Sequence, residues 1–159
     1  PVLSRGLGDV YKRQDIYGFC IRRSKYCQKD QPRNSETLMK IIECPRDAMQ
    51  SIKDFIPTAQ KVAYLNSLLK VGFDTLDFGS FVSPKAIPQM RDTANVLSQL
   101  DDSNTRLLAI VANQRGADEA CSFDRIDYLG YPFSVSENFQ KLNTNKSIYK
   151  SLSLSLIHI

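Results

Sequence analysis

The sequence predicts an α/β fold in which strands and helices alternate about four times. Two observations carry this prediction. Arg106–Ala112 reads RLLAIVA, a nearly continuous apolar run typical of parallel strands buried on both faces. Apolar residues also recur at helical spacing between the strand segments. Alternation of this kind favours a parallel sheet with right-handed crossovers, a pattern that a doubly wound sheet and half of a barrel both satisfy.

The first two predicted strands flank a helix. Lys40–Cys44 is a short apolar strand that ends at Pro45, and Thr75–Phe78 is the second strand. Thr58 is the predicted N-cap of the helix between them, and Gly72 is its predicted left-handed stop. One face of this helix carries three apolar residues: Val62, Leu65 and Leu69.

The remaining elements continue the alternation. Asp92 or Thr93 is the predicted cap of a helix whose inner face carries Val96, Leu97 and Leu100. After the RLLAIVA strand we expect a short helix at Ala117–Ser122 and a fourth strand at Arg125–Gly130. A loop reading YPFSVSENFQ then enters another helix.

Both ends of the chain are predicted to derive from sequencing adapters. DVYKRQ (residues 9–14) and LSLIHI (residues 154–159) can be encoded by reverse-complementary DNA, as an inverted tag on both sides of an insert would produce. We therefore set residues 1–14 and 154–159 aside. Residues 15–38 are polar and lack an apolar period, so they are either translated upstream DNA, with Met39 the true start, or a short basic arm. Residues 39–153 remain as the predicted domain.

Charge and composition exclude several function classes. Residues 1–38 hold eight Lys or Arg and four Asp or Glu, whereas residues 39–153 hold thirteen of each. The basic excess behind the pI of about 8.9 therefore lies outside the domain, and we expect neither a nucleic-acid nor a membrane partner. No apolar run approaches the roughly 20 residues that span a membrane.

Histidine and cysteine content narrow the chemistry further. The only histidine, His158, lies in a predicted adapter, so no His-based chemistry is expected of this chain. The four cysteines form no C-x-x-C pair. This pattern favours reduced thiols and a cytoplasmic location over disulfides or a zinc site.

Polar side chains follow the first two predicted strands. Arg46 and Asp47 lie in ECPRDAMQ, and Asp77 and Ser80 begin DFGSFVSPKAIPQM. In a barrel the loops after the strands open on one face, which would bring these residues around one mouth. Asp47 offers oxygen ligands for Mg²⁺ or Mn²⁺, and Arg46 a permanent charge for a carbonyl or enolate. On residue types alone, an ordinary surface ion pair is the more common arrangement.

Three further polar residues are candidate substrate ligands. Gln50 and Ser80 can hydrogen-bond substrate or backbone, and the backbone role is the more common one. Asn113 follows the third strand, and a turn role before Gly116 is at least as frequent. Asp77 either holds Arg46 in position or caps a neighbouring loop.

Three motifs carry a resemblance to a known family. PRDAMQ is similar to a PRDGLQ-type loop, SFVSPKAIPQM matches nearly letter for letter, and SENFQKLNTNKS resembles a stretch after strand four. From Lys40 to about Ser147 the chain thus resembles the amino-terminal half of hydroxymethylglutaryl-CoA lyase, in the metallolyase and Claisen-condensing TIM-barrel group. SFVSPK-x-x-PQM is the most specific motif, because it separates the lyase from its synthase relatives.

The resemblance implies half of a (β/α)₈ barrel and retro-Claisen cleavage of 3-hydroxy-3-methylglutaryl-CoA to acetoacetate and acetyl-CoA, a reaction of leucine degradation and ketone-body formation. It implies that Arg46 steadies the substrate carbonyl and the enolate, and that Asp47 binds a divalent metal, Mg²⁺ or Mn²⁺. Asp77 stands where the family has a glutamate, one methylene longer. The resemblance also implies an acyl-CoA substrate and, for the full-length protein, a homodimer.

Two other functions remain open. A synthase of the same barrel group would join acetyl-CoA to a 2-oxo acid, and a small α/β binding domain would be no enzyme. The family's further metal ligands, a His-x-His pair and an Asn, and its reactive Cys loop are not in this sequence. One carboxylate does not hold Mg²⁺ against water, so we expect this polypeptide to be inactive by itself.

Overall fold

The computed structural model describes residues 19–22 and 39–157. The predicted adapter at 1–14, most of the basic segment 15–38 and His158 lie outside these residues. The chain divides into a sheet-bearing unit, Cys20–Gly130, and a second unit that includes the residues from Tyr131 onward. Among the described residues, no helix is long and apolar enough to cross a membrane.

The sheet has five strands: β1 (Phe19–Arg22), β2 (Ile42–Glu43), β3 (Thr75–Ser80), β4 (Arg106–Ile110) and β5 (Tyr128–Tyr131). Their spatial order is β1-β5-β4-β3-β2, and β2 to β5 pair in parallel. These four strands therefore follow one another in chain order without a reversal. A doubly wound sheet reverses direction at a switch point, whereas a barrel winds one way. The sheet is thus part of a (β/α)₈ barrel, and the predicted fold class is confirmed.

Helices follow each of these four strands, and most predicted positions hold within a few residues. They are α1 (Pro45–Gln50), α2 (Thr58–Leu69), α3 (Thr93–Leu97), α4 (Gln114–Cys121), α5 (Glu137–Thr144) and α6 (Ile148–Ile157), with a 3₁₀ helix at Pro88–Met90. Gly72 is the left-handed residue after α2, with φ of 85°. Strand β1 lies in the stretch where the sequence shows no apolar period, and α6 extends into the predicted carboxyl-terminal adapter.

Two helix starts differ from the prediction. Pro57, not Thr58, is the N-cap of α2, because the Thr58 hydroxyl donates to Asp92 Oδ2 at 2.7 Å instead of to its own helix. Helix α4 begins three residues earlier than expected, at Gln114. The reason is that the Asn113 side chain accepts a hydrogen bond from Gly116 N and caps the first turn.

The core lies between the sheet and the helices α2, α3 and α4. It combines alternate strand residues with the apolar faces of these helices: Leu76 and Phe78 from β3, Leu107, Ala109 and Val111 from β4 and just after it, and Leu65, Val96 and Ala120 from the helices. The opposite face of β4 (Arg106, Leu108 and Ile110) is only half-buried. The prediction that this strand is buried on both faces is therefore wrong. Its apolar run fills the helix side, while the other side faces away from the core.

Candidate active site

Arg46, Asp47 and Gln50 lie on the short helix α1, which begins directly after β2. We expected a loop here. Pro45 occupies the first turn, where its missing N–H costs nothing. Because neighbouring residues in a helix are about 100° apart, Arg46 and Asp47 can share a partner. Gln50, three and four residues further on, is that partner.

Arg46 and Asp77 form the central contact of the site. The Arg46 Nε atom donates to both carboxylate oxygens of Asp77, at 3.2 and 3.0 Å, and Nη2 donates to Oδ2 at 2.7 Å. The Asp77 side chain is 4% exposed and that of Arg46 14%. Although Asp77 is one methylene shorter than the glutamate implied by the resemblance, it reaches the guanidinium from β3. The loop-capping alternative for Asp77 therefore does not describe the structure.

The electrostatics of the site reflect its partial desolvation. Burial raises the pKa of the Asp77 carboxyl, and the Arg46 guanidinium offsets part of that rise. Cys44, the residue before α1, is exposed as a whole, yet desolvation of its thiol raises its pKa. The Asp77 charge is the second cause of that rise. Negative charge at this site therefore depends on Arg46 as its counterion.

Asp47 is the exposed member of the group. Its side chain is 66% exposed, and Oδ1 accepts from Gln50 Nε2 at 2.7 Å and lies 3.4 Å from Arg46 Nη1. Gln50 Oε1 accepts from Arg46 Nη1 at 2.9 Å, so Gln50 links the two charged residues. Oδ2 of Asp47 has no hydrogen-bond partner in the described part of the chain.

The described residues do not form a complete metal site. Nowhere in residues 19–22 and 39–157 do three or more His, Cys, Asp or Glu side chains come together in a way that could hold a metal ion. The role of Asp47 as a metal ligand therefore stays a prediction.

Ser80 and Asn113 are both engaged with backbone. The Ser80 hydroxyl, 1% exposed as a residue, donates to Ile110 O at 3.2 Å and accepts from Val82 N at 3.2 Å. Asn113 caps α4. The structure thus groups Arg46, Asp47, Gln50 and Asp77, while the Ser80 hydroxyl and the Asn113 side-chain oxygen already have backbone partners.

Three buried residues beside the site were not predicted as part of it. Lys61, Gln89 and Asp92 are 2%, 4% and 9% exposed, and they join the segment after α1 to the start of α3. Gln89 lies in SFVSPKAIPQM, so the specificity of that motif was a signal for it. Lys61 gave no signal, because a lysine on an amphipathic helix normally faces solvent.

The chain is similar to known proteins in sequence and in fold. No family model matches the chain. A hydroxymethylglutaryl-CoA lyase of Bacillus subtilis is 34% identical over 119 residues, which cover 69% of this chain and 37% of the relative. A cytoplasmic 3-hydroxy-3-methylglutaryl-CoA lyase of Rattus norvegicus is 33% identical over 116 residues, covering 72% of this chain and 34% of the relative.

A solved structure agrees with these relatives. The HMG-CoA lyase from Acinetobacter baumannii, in complex with coenzyme A and 3-methylmalate, superposes with a TM-score of 0.71 at 28% identity. The match covers 76% of this chain and 40% of that chain. The chain is thus related to the hydroxymethylglutaryl-CoA lyases in both sequence and fold, and it spans about a third of the length of the curated relatives it matches.

Proposed function

We propose that this chain is the amino-terminal part of a lyase that cleaves 3-hydroxy-3-methylglutaryl-CoA to acetoacetate and acetyl-CoA. The observation that carries the proposal is the Arg46 guanidinium, held at the end of the sheet by Asp77 and turned by Gln50 toward the exposed Asp47. The similar proteins support it. Two of them are hydroxymethylglutaryl-CoA lyases, and a solved HMG-CoA lyase is in complex with coenzyme A.

Arg46 has the chemistry that this cleavage needs. A base takes the proton of the substrate hydroxyl, whose oxygen becomes the ketone oxygen of acetoacetate as the carbon–carbon bond breaks. The electron pair of that bond passes to the acetyl-CoA part as an enolate, which a proton then converts to acetyl-CoA. A guanidinium already fixed by a buried carboxylate stabilises that charge without reorganising during the reaction. Nη2 has a second N–H, beyond the one donated to Asp77, that can point at a substrate oxygen.

A divalent cation, Mg²⁺ or Mn²⁺, would be held in part by Asp47 and would supply Lewis-acid polarisation of the substrate oxygens. Gln50 fixes one oxygen of Asp47 and leaves the other open. In this proposal Gln50 positions Asp47 and Arg46, and its role as a substrate ligand stays a prediction. Two further parts of the proposal are a cytoplasmic location, which the cysteine pattern favours, and a homodimeric full-length protein, which the resemblance implies.

A chimera tests the proposed function. Residues 39–153 replace the matching segment of the Bacillus subtilis lyase, which supplies the rest of the barrel. We expect metal-dependent release of acetyl-CoA from 3-hydroxy-3-methylglutaryl-CoA, and a loss of about 100-fold or more in kcat when Arg46 is changed to Gln. The chain by itself should give no turnover above the metal-only blank.

The unmodified lyase is the positive control. A chimera that is folded by circular dichroism and inactive on this substrate would argue against the proposal. Condensation of acetyl-CoA with a 2-oxo acid by that chimera would favour the synthase alternative. If the large graft is insoluble, grafting only residues 44–50 and 75–92 applies the same test to the site itself.

A further inference from the structure

We infer that Gln89, supported by the buried Lys61–Asp92 ion pair, is a positioning residue for the Arg46 and Asp47 site. It acts by fixing the linker 51–57, the segment that connects α1 to α2. This inference rests on the proposed function only in taking Arg46 and Asp47 as the site. The placement that it describes is a property of the chain itself.

Gln89 holds the linker through three hydrogen bonds to backbone. Its Nε2 atom donates to Ile52 O at 3.0 Å and to Asp54 O at 2.9 Å, and its Oε1 atom accepts from Ile56 N at 2.9 Å. One side chain thus satisfies three backbone groups within five residues. Gln89 itself is 4% exposed, while Ile52 and Asp54 are exposed and Ile56 is half-buried, so these bonds join a buried side chain to a surface linker.

Lys61 and Asp92 fix Gln89 in turn. The Lys61 ammonium donates to the backbone oxygen of Gln89 at 2.5 Å and to Asp92 Oδ1 at 2.6 Å. Thr58 donates to the other carboxylate oxygen of Asp92 at 2.7 Å. The same ammonium lies 4.1 Å from the centre of the Phe55 ring, which is itself part of the linker. The start of α2, the 3₁₀ helix and the linker are therefore joined by one buried polar network.

Helix α1 needs this external support. It has six residues and no side-chain hydrogen bond at its N-cap, and so short a helix is not stable without tertiary contacts. Its amino end is tied to the sheet by Arg46 and Asp77, and Met49 is buried. At its other end, Gln50 precedes Ile52 by two residues. Releasing Ile52 therefore frees the residue that orients Arg46 and Asp47.

The composition of the network also points to positioning rather than to stability. Replacing a buried ion pair with apolar residues of similar volume is often neutral or stabilising. An apolar side chain at position 89 would fill the same space but would leave three backbone groups of the linker without partners. What the network adds is a defined path for the linker.

The test is hydrogen exchange and side-chain NMR on the full chain. Gln89→Met keeps the volume and removes all three hydrogen bonds, and Gln60→Met is the matched control because Gln60 is exposed on α2. We expect amide exchange at Ile56, whose N–H donates to Gln89, to become about tenfold faster or more in Gln89→Met. The Arg46 Nε–H signal should shift and exchange faster. Gln60→Met should change neither.

Leu100→Ala separates positioning from general destabilisation. Leu100 is a buried core residue, so this variant weakens the fold without touching the network, and its Arg46 Nε–H signal should stay at the parent position. Gln89→Glu serves if Gln89→Met does not fold. It keeps the acceptor for Ile56 N and loses both donors to the linker carbonyls, so the Ile52 amide, which donates to Met49 O, should exchange faster while Ile56 keeps more of its protection.

Three results would overturn the inference. The first is an Arg46 signal that is unchanged in Gln89→Met while linker exchange rises. The second is an equal change of that signal in Leu100→Ala. The third is a linker that shows no exchange protection in the unsubstituted chain. None of these measurements depends on lyase activity, so a failure here is distinguishable from a failure of the proposed function.

Discussion

Changing Arg46 to Met should destabilise the chain strongly at neutral pH, because it strands a buried carboxylate. Every hydrogen bond that the described residues make to the Asp77 carboxylate comes from Arg46, and Asp77 is 3% exposed. Breaking a buried pair from one side typically costs about 3–5 kcal/mol. The cost has an upper limit, because the stranded Asp77 carboxylate can take up a proton instead of staying charged. Protonating an ordinary aspartate at pH 7 takes about 4 kcal/mol. We therefore expect a loss of about 3–4 kcal/mol.

The loss should shrink as the pH falls. Burial already raises the pKa of Asp77 in the parent chain, and removing the guanidinium raises this pKa further. The folded variant then binds a proton more tightly than the unfolded chain does. Its stability therefore increases as pH decreases from neutrality toward the ordinary aspartate pKa. At about pH 5 the ceiling is roughly 1.5 kcal/mol, so most of the penalty should be gone.

Urea unfolding followed by circular dichroism, at neutral pH and near pH 5, measures both quantities. Arg115→Met is the matched control: Arg115 pairs with Glu119 at 3.5 Å on the surface of α4 and should contribute less than about 1 kcal/mol. Arg46→Met combined with Asp77→Leu should recover much of the loss, because no charge is left buried. A penalty below about 1 kcal/mol at neutral pH, or one independent of pH, would refute the reasoning.

Three further predictions concern neighbouring positions. Asp77→Glu should lower the unfolding free energy by about 1–3 kcal/mol in urea titrations, because it adds a methylene to a filled site, even though glutamate is the residue type implied by the resemblance. An unchanged unfolding midpoint would show that the site has room. Cys44 should be alkylated slowly at neutral pH, and Asp77→Asn should speed the reaction because it removes a charge that raises the thiol pKa. Peptide-resolved mass spectrometry measures the alkylation rate in the parent chain and in the variant, and equal rates would contradict this account. Gly116→Ala should destabilise by about 1–3 kcal/mol in thermal unfolding, because an added Cβ would meet the backbone oxygen of Phe81. Gly72→Ala has open space and should cost only the strain of its positive φ, so equal losses at the two glycines would count against the steric argument.

The sequence predicted the order of the elements because the relevant signals are local. The apolar face of α2, the left-handed stop at Gly72 and the RLLAIVA strand each arise within about ten residues. Strand order, by contrast, is not a local property of the sequence. Both a doubly wound sheet and a barrel use the same βα repeat, and only the pairing of β2 to β5 in chain order distinguishes them. The half-buried second face of β4 likewise depends on what packs against the sheet, which no strand sequence records.

The site divides along the same line. The sequence by itself determined the residue types and the motifs, and the resemblance that they carry singled out Arg46 and Asp47. Only the tertiary structure decided which groups meet: Asp77 joins Arg46 across 31 positions, and Gln89 reaches the linker across 33 to 37. The tertiary structure also buries Lys61, although lysine on a helix normally faces solvent, and places it at the centre of a polar network. The physical reason is that helix, strand and turn preferences act between near neighbours, whereas ion pairing and desolvation depend on distances that exist only after the chain has folded.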